Sequence, residues 1–340
     1  MATALSICIP THDGRARPLE YGLNAVLRQA NDSLASRLEV CVSDNASNDG
    51  TGEMVREASG GSPVPIHYRR NAVDLGPGRN ILQSIEMASG EYCWLLSSDD
   101  ALAEGALERM FKLLGGHSGV GGVSTACEVF DSVMERRLPT PTDRFPAGHG
   151  PRVIEGLSAI VEELGPCFIG MSAQVVHRGA WLGAARAQGQ SALVDGLLPH
   201  IVFLVGAAQS RPRWLWCPEP LIKWRAAGGI YGGIDNYMAR ILEDLAVSLS
   251  TYVGPQDPGY RRAITSFART NYSPHALRTM AVLPTHTVRG RRRLIGVLLR
   301  RLYWLPEFWR SMLPSVLIPG IVVRVVRKAR RVAAAVVTAP

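Results

Sequence analysis

The chain contains no stretch of about 20 apolar residues, which is what a membrane-spanning helix needs. The uncharged stretches at 197–209 and 311–323 are too short and are broken by Pro199, His200, Pro314 and Pro319. No Cys-x-x-Cys pair occurs among the six cysteines, which argues against a zinc site. Cys8, Cys41 and Cys93 sit inside apolar runs, so buried reduced thiols are expected. No G-x-G-x-x-G follows the first apolar run, where Pro10-Thr11-His12-Asp13-Gly14 stands, so the dinucleotide-binding fingerprint is missing. The G-x-x-x-x-G-K-[ST] loop is missing too, which removes ATP or GTP hydrolysis. The first ten residues have no basic start and run directly into a strand-like segment. That is not a secretory signal, and a cytosolic chain is expected. With 46% hydrophobic and 19% charged residues, neither a disordered polymer nor a small disulfide-stapled domain fits.

The 340 residues suggest about two domains, or one large domain with an appendage. The net charge of +8 is unevenly placed. Residues 289–340 hold twelve Lys and Arg against one acid, Glu307, and so carry +11; the 288 residues before them carry −3. Such asymmetry marks a segment that meets a membrane surface or nucleic acid.

In the first 130 residues, short apolar runs at 5–10, 38–43, 66–68, 92–96 and 122–130 read as strands. Helical spacing intervenes at 19–30, 52–58, 81–88 and 106–114. This alternation predicts an α/β fold with a mostly parallel sheet flanked by helices. Ligands of such sheets lie beyond the carboxyl ends of the strands. Those ends carry Thr11-His12-Asp13-Gly14, Asp44-Asn45-Ala46-Ser47-Asn48-Asp49-Gly50, Gly76-Pro77-Gly78-Arg79-Asn80 and Ser97-Ser98-Asp99-Asp100. With no glycine-rich phosphate grip, a nucleotide site here needs a cation, and Asp99-Asp100 is a suitable hard-cation donor pair. Adjacent residues of an extended strand point opposite ways, so one acid would hold metal and the other a ribose hydroxyl.

Together these four motifs resemble the family 2 glycosyltransferases of GT-A fold. That family's pattern is P-T-Y-N, D-[DN]-x-S-x-D-G-T, N-x-G-x-x-x-x-R-N and a strand ending in D-x-D-D. The match spans roughly residues 5–115 and recurs at 218–225, with Ser97-Ser98-Asp99-Asp100 lacking the first acid of the last motif. The resemblance implies a Rossmann-like nucleotide-binding half and an inverting transfer from a nucleotide sugar. It places Thr11 and His12 along the base, Arg79 and Arg225 at the diphosphate, Asp99 at the ribose and Asp100 on Mg2+ or Mn2+. It also places Asp44 on the base N3–H; an ionised carboxylate only accepts, which suits UDP- or dTDP-sugars rather than cytosine nucleotides.

An inverting transfer needs a base for the acceptor hydroxyl. The family presents it as the Asp of an E-D pair about eighteen residues before a P-E-P-L segment. Here that place falls on Pro199-His200, so His200 and the nearby Asp195 are both candidates. Glu243-Asp244 reads as an exposed helical pair. Glycines 228, 229, 232 and 233 around Tyr231 suggest a mobile loop over the donor.

In the basic tail, Leu294, Leu298, Leu302 and Leu305 recur at helical spacing beside Arg292, Arg293, Arg300 and Arg301, with Tyr303, Trp304, Phe308 and Trp309 following. A second set, Val322, Val325, Val326, Ala329 and Val332, lies against Arg324, Arg327, Lys328 and Arg331. Helices of this design lie in a membrane interface. The competing readings are packing on the body, self-association as a homo-oligomer and nucleic-acid binding, the last without any recognised motif.

The expected organisation is a catalytic domain over 1–225, with a nucleotide-sugar half at 1–115 and an acceptor and base half at 157–225. A helical region follows at 226–288 and a basic amphipathic membrane-associating tail at 289–340. The expected activity is metal-dependent sugar transfer to a lipid-linked saccharide acceptor in bacterial surface polysaccharide assembly, at the inner face of the cell membrane. A nucleotidyltransferase and a non-catalytic sugar-nucleotide-binding membrane adaptor are the alternatives.

Overall fold

The computed structural model describes residues 4–139, 150–188, 196, 198–226, 234–283, 286–318, 320 and 322–323. The chain divides into two compact units, Met1–Gly228 with Val247–Ala263, and Gly229–Ala246 with Ile264–Pro340. The expected division at 289 does not appear, because that tail shares a unit with the residues from Ile264 onward.

The first unit is built on one sheet. Strands β1 (Leu5–Thr11), β2 (Leu38–Asp44), β3 (Ile66–Arg70) and β4 (Tyr92–Leu95) run parallel in the order β3-β2-β1-β4. Helices α1 (Ala16–Leu27), α2 (Asp32–Ala35), α3 (Thr51–Gly60) and α4 (Pro77–Glu86) connect them. β1 and β2 are buried almost throughout, as expected of near-continuous apolar runs in a parallel sheet. Leu5, Ile7, Ile9, Val40 and Val42 pack with Leu19, Leu23 and Val26 of α1 and Val55 of α3. Full burial of each such side chain is worth about 1.5–3 kcal/mol. Cys8, Cys41 and Cys93 are free and buried, as expected of reduced core thiols.

Beyond β4 the sheet is mixed rather than mostly parallel. Next come β5 (Ala101–Leu102), α5 (Ala106–Gly116), β6 (Gly122–Phe130), β7 (Arg137–Leu138), β8 (Arg152–Glu155) and α6 (Leu157–Leu164). They are followed by β9 (Gln174–His177), α7 (Arg178–Gln188), α8 (His200–Ser210) and β10 (Arg213–Arg225). β9 inserts antiparallel between β4 and β6, and β10 lies parallel to β6. Four-residue β9 is too short for its period to stand out from neighbouring apolar helices. The Pro-, Arg- and Asp-rich stretch 128–156 contributes β7 and β8, with 140–149 outside the described residues. Register shifts in β10 between Cys217 and Ile222 coincide with Pro218 and Pro220, which cannot donate to the ladder. Beyond them, Ile222 and Lys223 pair antiparallel with Leu102 and Ala101, bringing the strand's end beside Asp99 and Asp100.

In the second unit, α12 (Val288–Leu302) follows the part of α9 (Ile234–Ser250) before Val247, the part of α10 (Pro258–Asn271) after Ala263, and α11 (Pro274–Met280). α13 (Leu313–Leu317) follows it. Leu294, Val297, Leu298 and Leu302 are fully buried and Leu305 nearly so. This corrects the expectation that Leu294, Leu298, Leu302 and Leu305 face a membrane: they are core. Arg293 and Arg300 both pair with Glu243, Arg269 with Glu307, and Asp235 with His286. Glu243 is therefore engaged rather than a free exposed acid. Of the second predicted amphipathic segment, Val322 is exposed, and its members from Arg324 onward lie outside the described residues.

Candidate active site

The carboxyl ends of β1, β2 and β4 meet in one polar constellation within the first unit. Two carboxylates stitch its first two loops together. Asp49 Oδ2 accepts from the backbone N–H groups of Gly14 (2.8 Å), Arg15 (3.0 Å) and Ala16 (3.2 Å), closing the amino end of α1. Its Oδ1 accepts from the Thr51 hydroxyl at 2.5 Å. Burial pulls the Asp49 carboxyl upward, but these donors outweigh it and hold the group below its usual range. In return, Asp13 Oδ1 accepts from Asn48 N–H at 2.7 Å.

Beneath these loops lies a buried amide network. Asn80 Nδ2 donates to the Thr11 carbonyl (2.9 Å), and its Oδ1 accepts from Ser43 (2.7 Å). Gln83 donates to Ser43 and Asn71, while Leu75 N–H donates to Asn45 Oδ1 at 2.8 Å. These residues tie the start of α4 to the ends of β1 and β2. The Gly76…Asn80 motif therefore has a structural half, Asn80, and an exposed half, Arg79 in the helix's first turn.

Asp44 is fully buried. Its Oδ1 accepts from Ser47 N–H (3.0 Å) and the Ser47 hydroxyl (2.5 Å), and its Oδ2 accepts from the Tyr68 hydroxyl at 2.5 Å. Thr11 is likewise buried, and its Oγ1 has no partner among the described residues. His12 is exposed, with Nδ1 2.9 Å from the Asp13 carbonyl.

The acidic pair is held by arginines. Arg15 Nη1 donates to Asp99 Oδ2 at 2.6 Å, and Ser97 Oγ to Asp99 Oδ1 at 2.5 Å. Asp100 is buried; Oδ1 accepts from Arg225 N–H (2.9 Å) and Oδ2 from the Ser172 hydroxyl (2.6 Å). Arg225 also donates through Nε to the Asp99 carbonyl (2.7 Å) and through Nη1 to the Ser132 carbonyl (2.6 Å), with its guanidinium 5.6 Å from the Tyr21 ring. Gly22 of α1 is required for this closeness, since a Cβ there would meet the Asp100 carbonyl oxygen at 2.5 Å. Burial, then the neighbouring charge of Asp99, pushes the Asp100 carboxyl up to about 7, against the opposing pull of Ser172 and Arg225.

Among the described residues, no three His, Cys, Asp or Glu side chains converge as metal ligands. The Asp99–Asp100 pair nevertheless fits a hard divalent cation whose other ligands come from a diphosphate. Burial and the neighbouring Asp99 charge disfavour ionisation of Asp100, and a bound cation would relieve both.

The structure does not suit His200 to base catalysis. Its ring is buried at the start of α8, with Nε2 2.9 Å from the Phe168 carbonyl, and burial lowers its pKa to about 4. Asp195 lies outside the described residues, as does the glycine-flanked segment 227–233. Sequence reasoning missed Arg15, Tyr21 and Ser172. Arg15 directly follows the first motif, but Ser172 sits in an apolar run with no local signal.

Residues 6–169 match Glycosyl transferase family 2. The match covers 164 of the 340 residues, just under half of the chain. Over 103 residues it is 48% identical to Abequosyltransferase RfbV of Salmonella typhimurium, an alignment covering 30% of this chain and 30% of that protein. Among solved structures it resembles S. aureus TarS 1-349 in complex with UDP-GlcNAc, with a TM-score of 0.62 and 16% identity over 90% of this chain and 82% of that one. It also resembles the mannosyltransferase PcManGT from Pyrobaculum calidifontis in complex with GDP-Man and Mn2+, at a TM-score of 0.54 and 17% identity over 96% and 87% of the two chains. The fold is thus the GT-A fold of these neighbours, with Asp99 and Asp100 at the carboxyl end of its central parallel strands.

Proposed function

We propose that the protein is an inverting glycosyltransferase that moves one sugar from a UDP- or dTDP-sugar to a hydroxyl of a lipid-linked saccharide in surface polysaccharide assembly. The observation that carries this reading is the gathering of Asp99, Asp100, Arg15 and Arg225 at the strand ends of a family 2 domain. The name of the relative that is 48% identical over 103 residues, an abequosyltransferase, supports glycosyl transfer, and the UDP-GlcNAc and GDP-Man complexes of the fold neighbours support a nucleotide-sugar donor.

In this reading Asp44 accepts the base N3–H, while Thr11 and His12 border the base. Asp44 Oδ2 keeps one acceptor position beside the Tyr68 hydrogen bond. Asp99 takes a ribose hydroxyl, exchanging it for Arg15. Asp100 holds Mg2+ or Mn2+, which when bound supplies charge to the departing diphosphate. Arg79 and Arg225 stabilise the same leaving group by hydrogen bonds to its oxygens. The acceptor hydroxyl gives its proton to Asp195 rather than His200, because the His200 ring is buried and engaged with the Phe168 carbonyl.

The acceptor is a polyisoprenoid-held saccharide, and the basic second unit brings the protein to the inner face of the cell membrane. Among the described residues no helix is long and apolar enough to cross a membrane. A thermal-shift screen of UDP-, dTDP-, GDP- and CDP-sugars with Mn2+, followed by turnover with membrane lipid extract, tests the proposal. Donor binding without turnover would favour a sugar-nucleotide-binding adaptor, and no binding to any of the four would overturn the reading.

A further inference from the structure

The charge asymmetry follows the structural units: the second unit carries fifteen Lys and Arg against four acids, and the first carries the −3 balance. With Leu294, Val297, Leu298 and Leu302 committed to the core, the outward side of α12 presents a different set of residues. Val288 is 69% exposed, Leu299 37% and Tyr303 60%, while Ile295 is half-buried between them in sequence. Their spacings of seven, four and four residues place all four along one edge of the helix surface. Arg289, Arg293 and Arg300 are exposed on the adjoining edge, and Arg292 is exposed within the row, four residues after Val288 and three before Ile295. Beyond the helix, Trp309 is 51% exposed, and its indole N–H donates to the Tyr303 carbonyl at 2.8 Å, fixing the two aromatic residues side by side. Arg310 is exposed next to them.

Among the described residues, Val288, Leu299, Tyr303 and Trp309 stand outside the core. An apolar row ending in Tyr and Trp, bordered by a line of arginines, has the lateral order of a bilayer interface. Apolar groups enter the acyl boundary, aromatic rings sit at headgroup level and cations meet anionic phosphates. From this order we infer that the outward edge of α12, with the Tyr303–Trp309 corner, is a docking face for an anionic lipid bilayer. The inference deepens the membrane-held acceptor reading by naming a face other than the buried leucine stripe. Of the four arginines, Arg293 and Arg300 are shared with Glu243, which leaves Arg289 and Arg292 as the pair that a test can neutralise without disturbing that ion-pair cluster.

Co-sedimentation of the full chain with phosphatidylglycerol-containing vesicles, without donor or acceptor, tests the face separately from transfer chemistry. Wild-type protein should pellet with these vesicles and not with pure phosphatidylcholine, and release with rising salt. Arg289→Gln with Arg292→Gln should weaken binding about thirtyfold, at ~1 kcal/mol per cation. Leu299→Gln with Tyr303→Gln should remove the salt-resistant remainder while leaving donor-induced thermal shifts intact. Arg278→Gln, on α11, should change binding at most a few fold. Vesicle binding that is absent in the wild type, or is equally unaffected by both double variants, overturns the inference. So does a concentration-dependent dimer that Leu299→Gln/Tyr303→Gln abolishes, which would make the face a contact between two copies of the chain. Because donor binding is measured alongside, wild-type protein that binds donor but not vesicles refutes the docking face alone.

Discussion

Replacing Asp100 by Asn tests the electrostatic state of the acidic pair most directly. In the unfolded chain this carboxyl ionises near its ordinary 3.8, and in the folded protein at about 7. Between those values the folded state holds a proton that the unfolded state has released. Stability therefore falls as pH rises through this window, and the full penalty is present above pH 7. Three pH units at about 1.4 kcal/mol each set a ceiling on the order of 4 kcal/mol. Asn matches the protonated acid in shape. Its oxygen still accepts from Arg225 N–H, but its amide forces the Ser172 hydroxyl, which already accepts from Ser97 N–H at 2.9 Å, to give up its own acceptor. That loss costs about 1 kcal/mol. The variant should thus be more stable than wild type by on the order of 2–3 kcal/mol at pH 8, with the gain nearly gone at pH 4.5. Urea denaturation at the two pH values, read by tryptophan fluorescence, measures this. In the same experiment, UDP with Mn2+ should stabilise the wild type and leave Asp100→Asn unmoved. Competition with the proton should weaken metal-dependent binding about tenfold between pH 8 and pH 6. A variant less stable than wild type at pH 8, or a difference that does not shrink in acid, would refute the reasoning.

Other outcomes follow from single contacts. Asp195→Asn should lower kcat by roughly 10²–10⁴ with donor affinity kept. In His200→Gln turnover should fall far less, although melting temperature drops; the reverse pattern in kinetics would return the base role to His200. Gly22→Ala should weaken nucleotide binding at least tenfold by displacing the Asp100 backbone, and titration calorimetry with UDP and Mn2+ that shows unchanged affinity would contradict the contact. Ala46 adopts φ 63° in the second motif, so Ala46→Gly should raise stability by roughly 0.5–1 kcal/mol in denaturant titrations. Leu298→Ala should cost about 2–5 kcal/mol, measured in the same way, because the side chain is fully buried in the second unit. A near-zero effect there would restore the stripe to the surface.

The parallel half of the sheet was legible in the residue order because it is local. Runs such as Leu5–Thr11 and Leu38–Asp44 are apolar on both faces, and the helices between them repeat at 3.6 residues. The same locality made the motif at each strand end visible, and the observed strand ends bring the loops of Thr11, Asp44 and Asp99–Asp100 together. What those residues bond to was not local. Ser172 reaches Asp100 across 72 positions and Arg225 across 125, through β9 and β10, whose places in the sheet depend on pairing with distant strands. Neither a four-residue strand nor a proline-bulged one leaves a periodic trace strong enough to read. The tail shows the complementary limit. Its sequence determined that 289–302 is an amphipathic helix rich in arginine, since spacing fixes which side chains share a face. Whether that apolar face meets lipid or protein depends on what lies opposite it, and only the tertiary structure turned Leu294, Leu298 and Leu302 inward and left Leu299 and Tyr303 outside.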